Sequence, residues 1–172
     1  MPVALALIAT IGSGLLDKGL AAEKVVAGDW NVVDAKGIFS FSLPSDMEPH
    51  PVQGQDTYVG EYRSNAIHLS FTYGEYGIDL CDVKVSETKP QFDQVSIDID
   101  GRRARVLTFN DPSEAGFPYA AAACFDDLGA DWAGEKTKLD LWAYCKNPAG
   151  QETAKKIFRS ISIKRRSPMP IK

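Results

Sequence analysis

The segment "TYVGEYRSNAIHLSFTY", residues 57–73, has two halves that together predict a β-hairpin. In the second half, apolar side chains alternate with polar ones, which is typical of a strand with one buried face. The apolar set is Ile67, Leu69, Phe71 and Tyr73. The first half supplies the partner strand, with the turn at residues 64–65. This pairing predicts Glu61 and Arg63 on the exposed face of the hairpin.

Strand patterns continue on both sides of this hairpin. "IFSFSL", residues 38–43, alternates and then meets Pro44, which ends the strand because proline lacks the N–H needed for pairing. "VSIDIDGRRARVLTF", residues 95–109, alternates on both sides of Asp100 and Gly101. An Asp-Gly dipeptide favours a tight hairpin turn. The sequence therefore predicts a second hairpin.

The last third of the chain changes from strands to a helix. "YAAAACFDD", residues 119–127, and "KLDLWAYCK", residues 138–146, are two more predicted strands, and the alanines of the first predict that a helix packs closely against it. Asn147 can cap a helix that starts at Pro148. Ala154, Ile157, Phe158 and Ile161 then recur at helical spacing. "SISIK", residues 160–164, predicts a final strand.

Composition predicts one globular domain. The chain has 172 residues, of which 44% are hydrophobic and 24% are charged, and this suffices for one core. We assign the domain to residues 23–164 and a flexible tail to 165–172, which contains two prolines. The formal net charge of -4 does not favour a nucleic-acid partner.

The first 22 residues resemble a secretory signal peptide. An apolar run is followed by small residues, as at a cleavage site. The run is shorter than the roughly 18 residues of a membrane span, so no stable span is expected after processing. Because no Lys or Arg precedes the run, a buried N-terminal helix is the alternative. The signal predicts a periplasmic or secreted protein, whereas the alternative predicts a cytoplasmic one.

The chain has three cysteines, so at least one of them lies outside any intramolecular disulfide. Cys124 and Cys145 stand near the ends of consecutive predicted strands, and we consider them a possible disulfide pair. The alternative is that all three cysteines are small buried hydrophobic residues.

Two segments, "FSFSLPSDM" near the start and "ETAKKIFRSISI" near the end, enclose a run of antiparallel strands. Over residues 30–164 this arrangement resembles the PsbP-like domain, a fold shared with a nuclear Ran-release factor and with many bacterial periplasmic proteins. The resemblance implies an α+β fold: a single antiparallel sheet of about six to eight strands, flanked by helices in an α/β/α sandwich. Members of that fold do unrelated jobs, chiefly as accessory or binding proteins, so the resemblance implies such a role without naming a ligand.

No recognisable catalytic motif is present in the sequence. His50 and His68 are the only histidines, and no nucleophile stands near either of them in a known pattern. Glycine-rich phosphate loops, C-x-x-C and H-E-x-x-H are absent from the sequence. We therefore predict a protein that is not an enzyme and needs no cofactor or metal. Four carboxylates remain candidates for a hard cation, with solvated strand-end charges as the simpler interpretation. They are Glu61, Glu75, Asp79 and Asp82.

The leading functional prediction is an exported domain that binds an unknown protein partner. Its candidate contact surface is formed by Glu61, Arg63, Glu75 and Tyr76 on the first hairpin, since exposed tyrosine is enriched at interfaces. The alternative is a protein that binds a small ligand or a cation in a pocket between the sheet and a helix.

Overall fold

The computed structural model describes residues 29–82, 84, 87–129 and 136–164. The predicted signal peptide at residues 1–22 and the tail at 165–172 lie outside these ranges. The described chain is mostly β and forms two antiparallel sheets. No helix within the described ranges is long and apolar enough to cross a membrane.

The larger sheet has seven strands in the spatial order β3-β4-β5-β9-β8-β7-β6. Its strands are β3 (Glu48–His50), β4 (Tyr58–Arg63), β5 (Ile67–Gly74), β6 (Asp93–Ile99), β7 (Arg102–Asn110), β8 (Tyr119–Phe125) and β9 (Lys138–Cys145). The smaller sheet has the order β1-β2-β10. Its strands are β1 (Trp30–Ala35), β2 (Phe39–Pro44) and β10 (Ser162–Ile163). Helix α1 (Pro148–Arg159) precedes β10.

The prediction of a single sheet flanked by helices is wrong. A second sheet lies where the prediction had one layer of helices. Helix α1 is the only α-helix that lies wholly within the described ranges. The reason lies in β2, whose Phe39, Phe41 and Leu43 are all buried. This strand pairs with β1 and β10 instead of joining the larger sheet, so its apolar side chains pack against one face of the larger sheet. The α/β/α sandwich implied by the family resemblance is therefore not formed.

The predicted hairpin of β4 and β5 is formed, with its turn one residue later than predicted. Glu61 pairs with Ser70 and Arg63 pairs with His68. At Gly60 the ring of Phe71 lies so close that a Cβ atom would meet Cε1 at 2.3 Å. Glycine is required there because an aromatic ring fills the space that a side chain would take.

We call the side of the larger sheet that faces the smaller sheet and α1 the front face. It carries the main core, in which aromatic rings from β2 and β5 meet edge to face. The centroids of Phe39 and Phe71 are 5.2 Å apart, and those of Phe41 and Phe71 are 6.0 Å apart. The predicted helix is confirmed: Asn147 caps it by accepting a hydrogen bond from the Gly150 N–H at 2.9 Å. It packs against β8, as the alanines of that strand predicted.

The opposite side, which we call the back face, carries a smaller apolar cluster. Its buried members are Cys81, Leu107, Ala122 and Cys124. A 3-10 turn, Asp79–Cys81, lies on this face. The back face is thus covered by a short irregular segment, whereas the front face is covered by a sheet and a helix.

Candidate functional site

A groove lies on the front face, between α1 and the β6–β7 hairpin. Its volume is about 170 Å³. It is lined by Asp93, Val95, Ile97, Val106, Thr108, Lys155 and Arg159. The groove exists because α1 packs over β8 and β9 and leaves the outermost strands partly uncovered. It has an apolar floor from the two strands and a cationic wall from the helix.

Strand β6 forms one edge of the larger sheet. It pairs with β7 on one side, and its other side has no strand partner in the described ranges. Most of its side chains are exposed, and Val95 is 46% exposed. Unpaired N–H and C=O groups along such an edge can receive an added strand.

The cationic wall of the groove comes from one side of α1. Lys155 Nζ lies 2.7 Å from Glu152 Oε1 in an ion pair, and Arg159 lies one turn further along the helix. Lys155 and Arg159 stand four residues apart and therefore share a helical face. Asp93 is the acidic residue of the lining. The wall therefore favours a ligand with an anionic group placed toward α1.

The predicted contact surface on the first hairpin falls into two groups. Arg63 Nε donates to Glu61 Oε1 on β4. Glu75 and Tyr76 follow the end of β5, where Tyr76 is 63% exposed. Since Glu61 pairs with Ser70, Glu75 lies five residues further on, or roughly 16 Å at strand spacing. A partner would have to span that distance to contact both groups, and the surface stays a prediction.

The two histidines lie in different surroundings. His50 is exposed on the short strand β3. His68 lies on the back face with its ring stacked on Phe117 at a centroid distance of 4.0 Å. Burial lowers the pKa of His68, and the charge of Arg63 lowers it further. His68 is thus held by aromatic packing and is only partly solvated.

The disulfide predicted from the sequence is wrong. Cys124 is bonded to Cys81, with a Cα–Cα distance of 5.8 Å, and Cys145 is a buried free thiol. Because β8 and β9 are antiparallel, their carboxyl-terminal ends lie at opposite ends of the pair. Cys145 also faces the front core, whereas Cys124 faces the back cluster. Both the position along the strands and the choice of face therefore exclude the predicted pair.

A buried carboxyl group lies beside this disulfide. Asp140 is directly opposite Cys124 in the β8–β9 register and is 2% exposed. The two sulfur atoms and an Asp140 carboxylate oxygen all lie within 4.8 Å of one another. Asp140 Oδ2 accepts a hydrogen bond from the Ile78 N–H at 3.1 Å. Burial raises the pKa of Asp140 to about 6, although this hydrogen bond and the nearby cations act in the opposite direction.

Residues 77–82 wrap closely around Asp140. A Cβ atom at Gly77 would meet Asp140 Oδ2 at 2.7 Å, so glycine permits this approach. Arg105 fixes the far end of the segment, because its Nη2 donates both to the Cys81 carbonyl at 3.0 Å and to Asp126 at 2.7 Å. A cavity of about 300 Å³ opens here. Its lining consists of Gly77, Ile78, Cys81, Asp82, Asp126, Lys138 and Asp140.

Sequence reasoning missed Asp140, since alternation in β9 placed it on a polar face. A buried face there was signalled by Trp142 and Leu107, which lie on the same side of the sheet as Asp140. Of the carboxylates considered for a cation, Glu61 forms an ion pair with Arg63, and Asp82 lines the cavity. Comparison of the chain with known protein families and with curated proteins finds no match.

Proposed function

We propose that this protein is an exported, non-enzymatic domain that binds an extended segment of a protein partner along β6. The observation that carries the proposal is the unpaired edge of β6 beside a groove with an apolar floor. In strand addition, backbone hydrogen bonds supply affinity and alternate side chains enter pockets that supply specificity. The edge of β6 offers unpaired backbone groups, and the groove beside it offers space for side chains.

The chemistry of the groove indicates which segment would bind. Val95, Ile97 and Val106 suit apolar side chains at alternate positions of an added strand. Lys155 and Arg159 suit an acidic side chain or a terminal carboxylate. We therefore expect an extended segment with two alternating apolar residues and an acidic group near α1.

Export is supported by the cysteine pairing. Disulfides persist in oxidising compartments such as the periplasm and the extracellular space, and they are rare in the cytosol. The Cys81–Cys124 bond is in keeping with the signal-like sequence at residues 1–22. Isolation of the protein from its source and measurement of its mass would test this part. A mass lacking about 22 residues supports export, and a full-length chain contradicts it.

The peptide site is tested by selecting binders from a displayed library of random peptides. Val95→Asp removes apolar floor and adds a charge that repels acidic peptides. We expect at least a tenfold loss of affinity, or about 1.4 kcal/mol. Val32→Asp is the matched control, because Val32 is 75% exposed on β1 of the other sheet. Equal affinities of the two variants for the selected peptides would contradict the proposal.

The hairpin surface is tested in the same experiment. Glu61→Arg and Tyr76→Ala change the two groups predicted from the sequence without touching the groove. If these variants lose binding and Val95→Asp keeps it, the partner docks on the first hairpin instead of β6. If both sets lose binding, the variants must be checked for folding before a site is assigned.

A small anionic amphiphile is the second candidate, and the apolar floor of the groove together with Lys155 and Arg159 on its wall favours it. A medium-chain fatty acid is a suitable probe. A ligand that binds only the folded state raises the melting temperature. Raised melting in the wild type but not in a Lys155→Glu, Arg159→Glu double variant, with no peptide selected, would favour this alternative.

A further inference from the structure

We propose that the Cys81–Cys124 disulfide is a site of thiol–disulfide exchange, in which Cys81 Sγ accepts attack by an external thiol and Asp140 donates a proton to Cys124 Sγ. The site lies on the back face and is independent of the β6 groove. Its co-reactant belongs to the class of small thiols and dithiols. Failure of the peptide experiments would leave this proposal unaffected.

Access separates the two sulfur-bearing residues. Cys81 lines the cavity of about 300 Å³, whereas Cys124 does not. Cys81 is 9% exposed and Cys124 is 1% exposed. Cys81 ends a single 3-10 turn, and Cys124 lies within the central part of the sheet. An external thiol therefore reaches the Cys81 side of the bond, and Cys124 is the leaving group.

Asp140 lies where the leaving sulfur needs a proton. It is directly opposite Cys124 across the β8–β9 pair, with its oxygen within 4.8 Å of the sulfur. A thiolate formed on Cys124 would be costly in free energy, because little water can reach it and a carboxyl group lies beside it. The raised pKa of Asp140, about 6, keeps a fraction of its carboxyl protonated near neutral pH. That proton removes the cost.

Other charges around Asp140 nearly balance. Lys138 is on the same strand and Arg105 reaches in from β7. Asp126 follows β8, and Asp82 belongs to the segment that covers the site. Two cations thus face two exposed carboxylates, and neither sign excludes a thiolate from the cavity.

The exchange balances in two steps. An external thiolate forms a bond to Cys81 Sγ while the Sγ–Sγ bond breaks, and the electron pair on Cys124 Sγ takes the Asp140 proton. A second external thiol then attacks the mixed disulfide, releasing the external disulfide and the Cys81 thiol, while Asp140 regains a proton from water. Two external thiols are oxidised and one protein disulfide is reduced.

The rate is measured by mixing native protein with reduced glutathione, quenching with acid and counting free thiols by mass spectrometry. Cys145 is an internal reference, because burial raises its pKa to about 12 and leaves it unreactive. After correction for glutathione thiolate, we expect the wild-type rate constant to rise by a factor on the order of 20 between about pH 7.5 and 5.5, as the protonated fraction of Asp140 does. Asp140→Asn should change less than about twofold over that range. Asp82→Asn, at the same cavity, should follow the wild type.

Two results would overturn the proposal. One is a reduction rate that does not depend on glutathione concentration, which would mean that the bond opens only when the protein unfolds. The other is superimposable pH profiles of the wild type and Asp140→Asn. The glutathione adduct should be found on Cys81, and an adduct on Cys124 contradicts the assigned entry point. Should Asp140→Asn fail to fold, the wild-type profile decides alone, because a flat corrected profile removes the proton donor.

Discussion

The two faces of the seven-stranded sheet are stabilised by different interactions. The front face buries large apolar side chains beneath the smaller sheet and α1. The back face has a small apolar cluster with a disulfide, and beside it lie a buried carboxyl group and an arginine that bridges two segments. The comparison teaches that one sheet can rely on apolar area where it has a full cover and on specific bonds where its cover is short.

The front face is predicted to dominate stability. Phe71 packs on Gly60 and meets the rings of Phe39 and Tyr58, each at a centroid distance of 5.2 Å. Truncating a buried phenylalanine removes apolar contacts and leaves a cavity. We expect Phe71→Ala to lower the free energy of unfolding by about 3 to 5 kcal/mol, measured by urea denaturation. Phe71→Leu should cost clearly less because it keeps most of the apolar volume, and equal losses would mean that the missing aromatic ring, not the cavity, is the cause.

On the back face, the disulfide is predicted to have the next largest effect. It closes a loop with a sequence separation of 43, for which the chain-entropy estimate is up to about 4 kcal/mol. A Cys81→Ala, Cys124→Ala double variant should therefore lose about 2 to 4 kcal/mol. The control is reductant, which should lower the stability of the wild type and leave the double variant unchanged. A loss below about 1 kcal/mol would show that polar contacts suffice to hold this cover.

Local patterns were good predictors of the fold within each hairpin. The β4–β5 hairpin, the turn at Asp100 and Gly101 and the cap at Asn147 are all observed, because each depends on neighbouring residues. What failed was the assembly of layers. Whether the apolar strand β2 joins the larger sheet or covers it depends on contacts between distant segments, which alternation does not encode.

The candidate sites were harder to predict for the same reason. Cys81 lies in a segment without periodicity, so nothing local placed it beside Cys124. Asp140 alternates with apolar residues, which signals an outward side chain only if the back face is solvated. The cover formed by residues 77–82 makes that face partly buried. The β6 groove was likewise not predictable, because it depends on which strands α1 packs against.

Asp140 makes the stability of the back face depend on pH, unlike the apolar packing of the front face. Its pKa is raised from 3.8 to about 6 in the folded protein. Between these values the folded state holds more protons than the unfolded state, so this group's contribution to stability falls as pH rises from about 4 to 6. The penalty above pH 6 is on the order of 2 to 3 kcal/mol.

Asp140→Asn isolates this effect, since its amide oxygen can still accept from Ile78 N–H. The variant should gain about 2 kcal/mol relative to the wild type between about pH 4 and 7. Urea denaturation of both proteins across this range provides the measurement. The difference in stability between the two proteins cancels the pH-dependent contributions of the other carboxylates. One of these is Asp34, whose pKa is lowered by hydrogen bonds from Lys164 and Gly37. A pH-independent difference would mean that folding does not raise the pKa of Asp140.

The smallest predicted effect concerns the partly solvated end of the back face. Phe117 covers His68, and burial is the main reason why the pKa of this histidine is lowered. Phe117→Ala should therefore raise the pKa of His68 toward its ordinary value at a stability cost of about 1 kcal/mol or less. An NMR titration of the histidine ring protons measures the change. Lys146→Gln, which removes one of the smaller charge effects and keeps the ring, should raise it less. If Lys146→Gln has the larger effect, charge outweighs burial at this position, and the back face is governed by electrostatics even where an aromatic ring covers it.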